Sequence, residues 1–191
     1  GLALPTTFIS SVDKSGVGEE ILQRLEASGV NTGYVTSVDS RGMGMWHVVL
    51  DEKGDLAGSV SQMPRLDVLD EIISQQGSRF CEEGALVRLE IDLNETITKK
   101  NLALASQYKK PVYGIPGNLD VIRQNIEILD QMECFICNDI EAGRLLNLDF
   151  LQLELEEAKR EVVRYADQTG LKSMVITLGS RGSVYYDART K

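Results

Sequence analysis

The sequence predicts an α/β fold built on a largely parallel sheet, and three observations lead to that prediction. Segments rich in β-branched residues alternate along the chain with segments whose apolar residues recur at helical spacing. Strands that alternate with helices in this way are typical of crossover units, in which successive strands pair in parallel. The length of 191 residues, with 42% apolar and 26% charged residues, suits one soluble globular domain with a substantial core.

The predicted elements follow this alternation from residue 6 onwards. The predicted strands are, in chain order, 6–12, 34–38, 45–50, 56–60, 85–89, 111–115, 134–137, 174–178 and 183–186. The predicted helices are 19–27, a segment carrying Leu66, Leu69, Ile72 and Ile73, and then 98–107, 121–129, 140–146 and 153–168. The strands at 45–50 and 56–60 are the exception to the crossover pattern. Gly54 between them suits a hairpin turn, and such a hairpin can form a flap on the edge of a sheet.

The acidic composition argues against two classes of partner. The net charge is -9, whereas nucleic acid and anionic membranes both attract clustered Lys and Arg, so we expect neither as a partner. The sequence has no apolar run near the ~18 residues of a membrane span and no signal segment at its start, and we therefore expect a cytoplasmic protein. Because the chain begins at Gly1 rather than at Met, we also expect it to be a fragment.

Two of the three cysteines form a C-x-x-C pair, Cys134 and Cys137, which is a spacing found in redox and zinc sites. The apolar run Cys134-Phe-Ile-Cys137 instead favours a buried strand in which the thiols act as small hydrophobic groups. No second pair completes a zinc site in the sequence, which contains a single His.

Ligands of open α/β sheets bind at the carboxyl ends of the strands, so the loops after the predicted strands are the candidate sites. The loop Thr177-Leu-Gly-Ser-Arg-Gly182 has two glycines that let backbone N–H groups approach an anion closely. Ser180 and Arg181 add side-chain donors. From the spacing alone, a Gly turn with a purely structural role is at least as well supported as an anion site.

A second candidate is the segment Asn138-Asp-Ile-Glu141. Asn138 suits a helix N-cap, and Glu141 three residues later completes a capping box, which is the interpretation that spacing alone favours. The functional alternative is that Glu141 holds Mg²⁺ through water. A third candidate is the end of the strand before Asp92, where Glu90 and Asp92 can bind sugar hydroxyls or simply face solvent.

Taken together, these segments resemble the ribokinase-like (PfkB-type) carbohydrate kinases. Thr177 to Gly182 is similar to the nucleotide loop of that family, Asn138 to Glu141 to its N-x-x-E element, and Arg88-Leu-Glu90 to the segment that ends in a sugar-contacting Glu. Residues 42–58 resemble the β-flap that closes over the sugar, and 16–32 the helix before it. The correspondences occur in the family's order over nearly the whole chain.

The resemblance implies a doubly wound, mostly parallel sheet flanked by helices, forming one domain over 1–191 with a flap at 42–61. It implies transfer of the γ-phosphoryl group of ATP to a hydroxyl of a sugar or nucleoside, with ATP and Mg²⁺ as cofactors. The implied ATP contacts are Asn138, Thr177, Gly179, Ser180, Arg181 and Gly182. Glu141 would organise Mg²⁺, and Glu90 would contact the substrate.

The sequence departs from the family pattern at several points. The family's catalytic Asp lies in a later G-A-G-D loop, so the resemblance places the base beyond Lys191 and none in this chain. The segment 12–18 has Asp13 where the family has Gly and Ser15 where the family has Asp. Gln62-Met63 resembles the Asp-Met of pseudouridine kinases and hints at a nucleoside. The alternative function is a non-catalytic nucleotide- or sugar-binding relative.

The flap strands would expose edges that can pair between subunits, so a homodimer through the β-flap is also expected.

Overall fold

The computed structural model describes residues 4–52, 54, 56–91 and 94–190. The chain forms two compact units, Gly1–Gln75 and Gln76–Lys191, and the boundary between them falls inside a long helix. Among the helices of the described residues, none has both the length and the apolar character needed to cross a membrane.

The first unit begins with two parallel strands joined by a helix. Strand β1 (Thr6–Asp13) pairs with β2 (Val30–Val38), and helix α1 (Gly16–Ala27) connects them. The helix begins after Ser15, whose side chain accepts a hydrogen bond from the backbone N–H of Gly18. Ser is a strong N-cap residue, so Ser15 caps the helix although it stands where the similar family has Asp.

A hairpin follows, as the Gly54 signal predicted. Strands β3 (Met45–Leu50) and β4 (Leu56–Gln62) pair in antiparallel fashion and form a two-stranded sheet of their own. Gly54 has a φ of 86°, which is the left-handed conformation that a turn glycine supplies. Helix α2 (Leu66–Glu83) comes next and runs from the first unit into the second.

The loop that leads into the hairpin is held firmly by β1. The hydroxyl of Ser11 donates a hydrogen bond of 2.6 Å to the carbonyl of Gly42, and the carboxylate of Asp13 accepts one of 2.6 Å from the Gly42 N–H. A Cβ at residue 42 would lie less than 3.0 Å from the backbone of Val12 and from the side chain of Val38. Gly42 is therefore required by the close approach of this loop to β1 and β2.

The second unit contains a five-stranded sheet whose strands follow one another in sequence order. Strands β5 to β8 are parallel, and β9 is antiparallel to β8. The strands are β5 (Val87–Glu90), β6 (Val112–Ile115), β7 (Cys134–Asn138), β8 (Ser173–Thr177) and β9 (Ser183–Asp187). The helices are α3 (Glu95–Gln107), α4 (Leu119–Gln124), α5 (Asp139–Leu146) and α6 (Leu155–Thr169), with 3₁₀ turns at Ile126–Gln131, Phe150–Gln152 and Gly179–Arg181.

The core of this unit lies on β7 and β8 and on the helices packed against them. Phe135, Met174 and Ile176 are completely buried on the central strands, and α6 contributes Val162 and Ala166. Burying a side chain of this size stabilises a fold by about 1.5–3 kcal/mol, so the central strands are well anchored. They form a rigid support for the loops that follow their carboxyl ends.

The predicted α/β fold with mostly parallel strands is confirmed, and two details differ. The parallel strands divide between two sheets, and the predicted helix over 121–129 is interrupted at Asn125. The Asn125 side chain donates a hydrogen bond of 3.0 Å to the carbonyl of Val121, and the backbone angles of Asn125 (φ -137°, ψ 56°) lie outside the helical region. Asn side chains compete in this way with helical backbone bonds, which apolar periodicity does not reveal.

Candidate functional site

The carboxyl ends of β7 and β8 bring two of the predicted site segments together. Asn138 and Thr177 are register partners at the last residue of each strand, and both are exposed. Neighbouring strands lie about 4.8 Å apart, so the helix that follows Asn138 and the loop that follows Thr177 begin side by side.

Asn138 and Glu141 form the capping box that their spacing predicted. The side-chain oxygen of Asn138 accepts a hydrogen bond of 2.8 Å from the Glu141 N–H, and the Oε2 atom of Glu141 accepts one of 2.8 Å from the Asn138 N–H. The box occupies Oε2 of Glu141 and leaves the second carboxylate oxygen outside it. The cap and a role in metal binding are therefore compatible at this residue.

The loop at residues 177–182 is a tight turn between β8 and β9 with two left-handed glycines. Gly179 has a φ of 59° and Gly182 a φ of 92°, and a Cβ at either position would meet no atom within 4 Å. The turn is closed by a hydrogen bond of 2.8 Å from the Leu178 N–H to the Gly182 carbonyl. The loop is thus a defined conformation that faces open space at both glycines.

Two backbone donors at the start of this turn are available to a ligand. The N–H groups of Gly179 and Ser180 donate no hydrogen bond within the described part of the chain, whereas those of Arg181 and Gly182 bond to Leu178 and Gly179. Successive unpaired N–H groups in a turn form a concave site for an anion. The N–H groups of Gly179 and Ser180 are therefore the backbone donors of this turn that an anion could use.

An ion pair joins this loop to the first turn of α5. The Arg181 Nη2 atom lies 3.8 Å from Oδ2 of Asp139, whose side chain is 19% exposed. A cavity of about 140 Å³ lies between Arg181, Leu178 and Phe150, and a wide, open depression of about 450 Å³ lies between α5 and the residues that follow it, from Asn147 to Phe150. Open space thus borders both partners of the ion pair.

The end of β7 beneath the site is buried, with Cys137 4% exposed. Burial raises the pKa of the Cys137 thiol well above its usual range, and the nearby carboxylates of Glu141 and Asp139 raise it further. Asp139 and Glu141 belong to the first turn of α5, which follows β7 directly, so the acidic end of the site adjoins a buried thiol.

The third predicted position, Glu90, lies at the same edge of the sheet but apart from the others. It ends β5, its carboxylate lies 3.8 Å from the guanidinium of Arg88, and it is separated from β7 by the intervening strand β6. Two strand spacings correspond to about 10 Å, so Glu90 does not share a contact with Asn138. Asp92, the other acid of this segment, lies outside the described residues.

The structure therefore brings Asn138, Glu141 and the loop at 177–182 into one neighbourhood and leaves Glu90 at a distance. Sequence reasoning missed Asp139, which follows the N-cap directly and pairs with Arg181. An acid in the first turn of a helix is common for reasons of helix polarity, so its position alone carried no signal of a second partner.

Comparison with known proteins gives consistent matches over the whole chain. A model of the pfkB family carbohydrate kinases matches residues 2–191. The chain is 31% identical to guanosine-inosine kinase from Exiguobacterium acetylicum over 186 residues, covering 96% of this chain and 59% of that kinase. It is 26% identical to ribokinase from Arabidopsis thaliana over 191 residues, covering 97% of this chain and 48% of that enzyme. The chain thus spans only part of the length of these relatives.

A solved structure has the same fold. The chain is similar to ribokinase from Arabidopsis thaliana complexed with ribose and ATP, with a TM-score of 0.77 and 21% identity, over 98% of this chain and 59% of that one. This likeness shows that the chain has a ribokinase-like α/β fold, and the match to the family model shows to which family its sequence belongs. The chain therefore belongs to the pfkB family of carbohydrate kinases.

Proposed function

We propose that this chain carries the nucleotide side of an ATP-dependent kinase that phosphorylates a hydroxyl of a nucleoside or sugar. The observation that carries the proposal is the pairing of Asn138 with Thr177, which sets the two predicted nucleotide segments side by side. The match to the pfkB family over residues 2–191 supports it independently. We propose further that both compact units belong to one domain of this family, with residues 42–61 as its flap.

In this proposal, the loop at 177–182 binds the phosphates of ATP. The N–H groups of Gly179 and Ser180 supply backbone donors, Gly182 allows close approach, and Arg181 supplies a positive charge in a forked geometry. Thr177 and Asn138 border the nucleotide from the ends of β8 and β7. Phosphoryl transfer relies on such positioning and on charge neutralisation rather than on covalent catalysis by the protein.

Glu141 is the residue that we propose for Mg²⁺. Among the described residues there is no group of three or more His, Cys, Asp or Glu side chains able to enclose a metal. Mg²⁺ commonly binds one or two protein carboxylates and completes its coordination shell with water and substrate phosphates, so a single Glu is sufficient as its protein ligand. The ion would neutralise the charge of the phosphates while Glu141 fixes its position.

The acceptor is proposed to bind near Glu90, whose carboxylate can accept hydrogen bonds from hydroxyl groups. In the reaction, the acceptor oxygen forms a bond to the γ-phosphorus, the bond to the bridging oxygen breaks, and ADP leaves. The proton of the acceptor hydroxyl passes to a general base. A purine nucleoside is the favoured acceptor, because identity is higher to the guanosine-inosine kinase (31%) than to the ribokinase (26%).

Two measurements test this function. Binding of mant-ATP, a fluorescent ATP derivative, with and without Mg²⁺ tests the nucleotide site in this chain. Transfer of labelled phosphate from ATP to guanosine, inosine or ribose tests turnover and acceptor. Absence of nucleotide binding would reject the proposal. The transfer assay uses the full-length protein; binding by this chain without transfer by the full-length protein to any acceptor would favour a non-catalytic nucleotide- or sugar-binding relative.

We also propose that the hairpin β3–β4 forms a homodimer contact. Every residue of β3 is exposed, including Trp46 at 67% and Val49 at 65%, and Val60 on β4 is 73% exposed. Strand alternation places Trp46 on one face of the hairpin and Val49 on the other, which it shares with Val60. An exposed apolar strand pair with open edges favours association with a second copy. Sedimentation at micromolar concentration should show a dimer that Trp46→Ser with Val49→Lys converts to a monomer, and a monomeric wild-type chain would reject the contact.

We place the protein in the cytoplasm, because Cys81, Cys134 and Cys137 are all free and buried, as is usual in a reducing compartment.

A further inference from the structure

We infer that Asp139 is a positioning residue of the nucleotide site, whose carboxylate holds the Arg181 guanidinium in place to receive a polyphosphate. The inference rests on the proposed function and extends it to a residue that neither the spacing of the motifs nor the family resemblance singled out. It concerns how strongly the site binds nucleotide rather than whether the chain is a kinase.

The geometry fixes the Asp139 carboxylate before any ligand arrives. Its Oδ1 atom accepts a hydrogen bond of 3.0 Å from the Ile140 N–H, and Oδ2 lies 3.8 Å from Nη2 of Arg181. The Asp139 side chain is 19% exposed, whereas that of Arg181 is 46% exposed. A half-buried, anchored carboxylate therefore narrows the range of rotamers that the longer Arg181 side chain samples.

The guanidinium group can serve both partners at once. Arg presents five N–H donors in a planar fork, so one edge can face Asp139 while another donates to a phosphate oxygen. Arg181 belongs to the turn that also exposes the N–H groups of Gly179 and Ser180. Holding the guanidinium near these donors places its charge where the proposed phosphates would lie.

When Arg181 is absent, the Asp139 carboxylate opposes the binding of a polyphosphate. Asp139 and Glu141 both lie in the first turn of α5, directly after β7. A polyphosphate beside these two carboxylates would be repelled by both. Arg181 neutralises one of them, so Asp139 aids binding only through its ion pair.

This reasoning predicts an effect of Asp139→Asn that changes sign with the partner. In the wild-type background the substitution removes the ion pair that helps to orient Arg181 and should weaken mant-ATP binding by about three- to tenfold. In an Arg181→Ala background it removes an unpaired carboxylate and should strengthen binding by about two- to threefold. Arg181→Ala alone should weaken binding by about tenfold or more, and Asp139→Glu should retain most of the wild-type affinity.

The experiment is a double-mutant cycle of mant-ATP dissociation constants in the intact chain, with thermal midpoints recorded for each variant. The matched control pair is Glu161 and Arg164 on α6, where the Arg164 Nη2 atom lies 2.7 Å from Oε1 of a Glu161 side chain that is 16% exposed. Glu161→Gln and Arg164→Ala should leave nucleotide affinity unchanged within about twofold.

The sign change separates positioning from a merely structural role, which would weaken binding in both backgrounds. The inference is overturned if Asp139→Asn leaves wild-type affinity unchanged, or if it weakens binding further in the Arg181→Ala background. If the wild-type chain binds no mant-ATP, the proposed function fails first and this inference fails with it. Wild-type binding with an additive cycle overturns the inference alone.

Discussion

Asn138 and Thr177 face each other as register partners on adjacent parallel strands, each at the residue where its strand ends. Because of this pairing, the capped first turn of α5 and the glycine turn between β8 and β9 leave the sheet at the same level. A helix N-terminus and a turn with unpaired N–H groups both favour negative charge, and here their preferences coincide.

The left-handed glycine at the end of the turn provides the first prediction. Gly182→Ala places a Cβ on a residue with a φ of 92° and a ψ of -132°, which should cost about 1–3 kcal/mol of stability. Gly29→Ala is the matched control, since Gly29 has a φ of 77° at the end of α1 and equally open space around it. We expect both variants to melt at lower temperature and only Gly182→Ala to lose about tenfold or more in mant-ATP affinity. Equal nucleotide affinities for the two variants would contradict the assigned loop.

Glu141 offers a way to separate helix capping from metal binding. Gln also serves at the third position of a capping box, so Glu141→Gln should change the free energy of unfolding by less than about 1 kcal/mol. The loss of charge should nevertheless reduce the gain in nucleotide affinity that Mg²⁺ produces. Titrations of mant-ATP with and without Mg²⁺ measure this gain directly. An undiminished Mg²⁺ effect in a stable Glu141→Gln chain would remove Glu141 from the metal site.

Glu90 should affect the acceptor and leave ATP binding unchanged. Since the residue lies two strands away from Asn138, Glu90→Gln should weaken binding of inosine or ribose by about tenfold while mant-ATP affinity stays constant. Calorimetry with each acceptor measures the first effect. Glu95→Gln, which removes a carboxylate paired with Lys99, is a control of similar exposure. A loss of ATP affinity in Glu90→Gln would show that Glu90 belongs to the nucleotide site and not to the acceptor site.

The loop before the hairpin should tolerate no side chain at residue 42. Gly42→Ala forces a Cβ against the backbone of Val12, and overpacking of this kind costs about 1–3 kcal/mol or more. Gly58→Ala, on the hairpin itself and with open space around it, should be close to neutral. Urea unfolding followed by circular dichroism compares the two variants. Similar midpoints for both would show that the loop can move away from β1.

Two buried groups predict a loss of stability at alkaline pH. Burial raises the pKa of the Cys137 thiol far above its unfolded value of about 8.5, so the unfolded chain releases this proton first. The contribution to stability is therefore complete below pH ~8.5 and declines as the pH rises above it. Burial also raises the pKa of Tyr165 to about 12, which extends the decline above the unfolded value of about 10.

Urea midpoints between neutral and alkaline pH measure this decline. Cys137→Ala should flatten the slope that begins near pH ~8.5, whereas Tyr165→Phe should alter only the region above pH ~10. Retention of the full wild-type slope in Cys137→Ala would show that other groups cause the alkaline loss.

Periodicity was sufficient for most of the fold, because the core strands of the second unit are apolar and the helices between them have clear spacing. Met45–Leu50 coincides with its predicted range, β7 extends one residue beyond its predicted end, and β8 begins and ends one residue earlier than predicted. The break at Asn125 escaped prediction because it depends on a side chain bonding to its own helix. The membership of β1 and β2 in a two-stranded sheet of their own depends on tertiary pairing that no local pattern encodes.

The site was predictable where local geometry decides and unpredictable where distant residues meet. The Asn138–Glu141 capping box follows from a spacing of three, and the left-handed glycines follow from a short turn between two strands. The ion pair of Asp139 with Arg181 joins two segments that only the β7–β8 pairing brings together. Its existence could be inferred only after the order of the strands was known.

The antiparallel pairing of β9 with β8 limits how the sequence of this site can vary among related proteins. In β9, Val184 and Tyr186 point inward and are buried, while Tyr185 between them is exposed. Inserting or deleting one residue in the turn at 178–182 would shift β9 by one position and exchange its inward and outward faces. The core of the second unit thus fixes the length of the turn, although not its side chains. Variation among related sequences should therefore appear there as substitutions rather than as gaps.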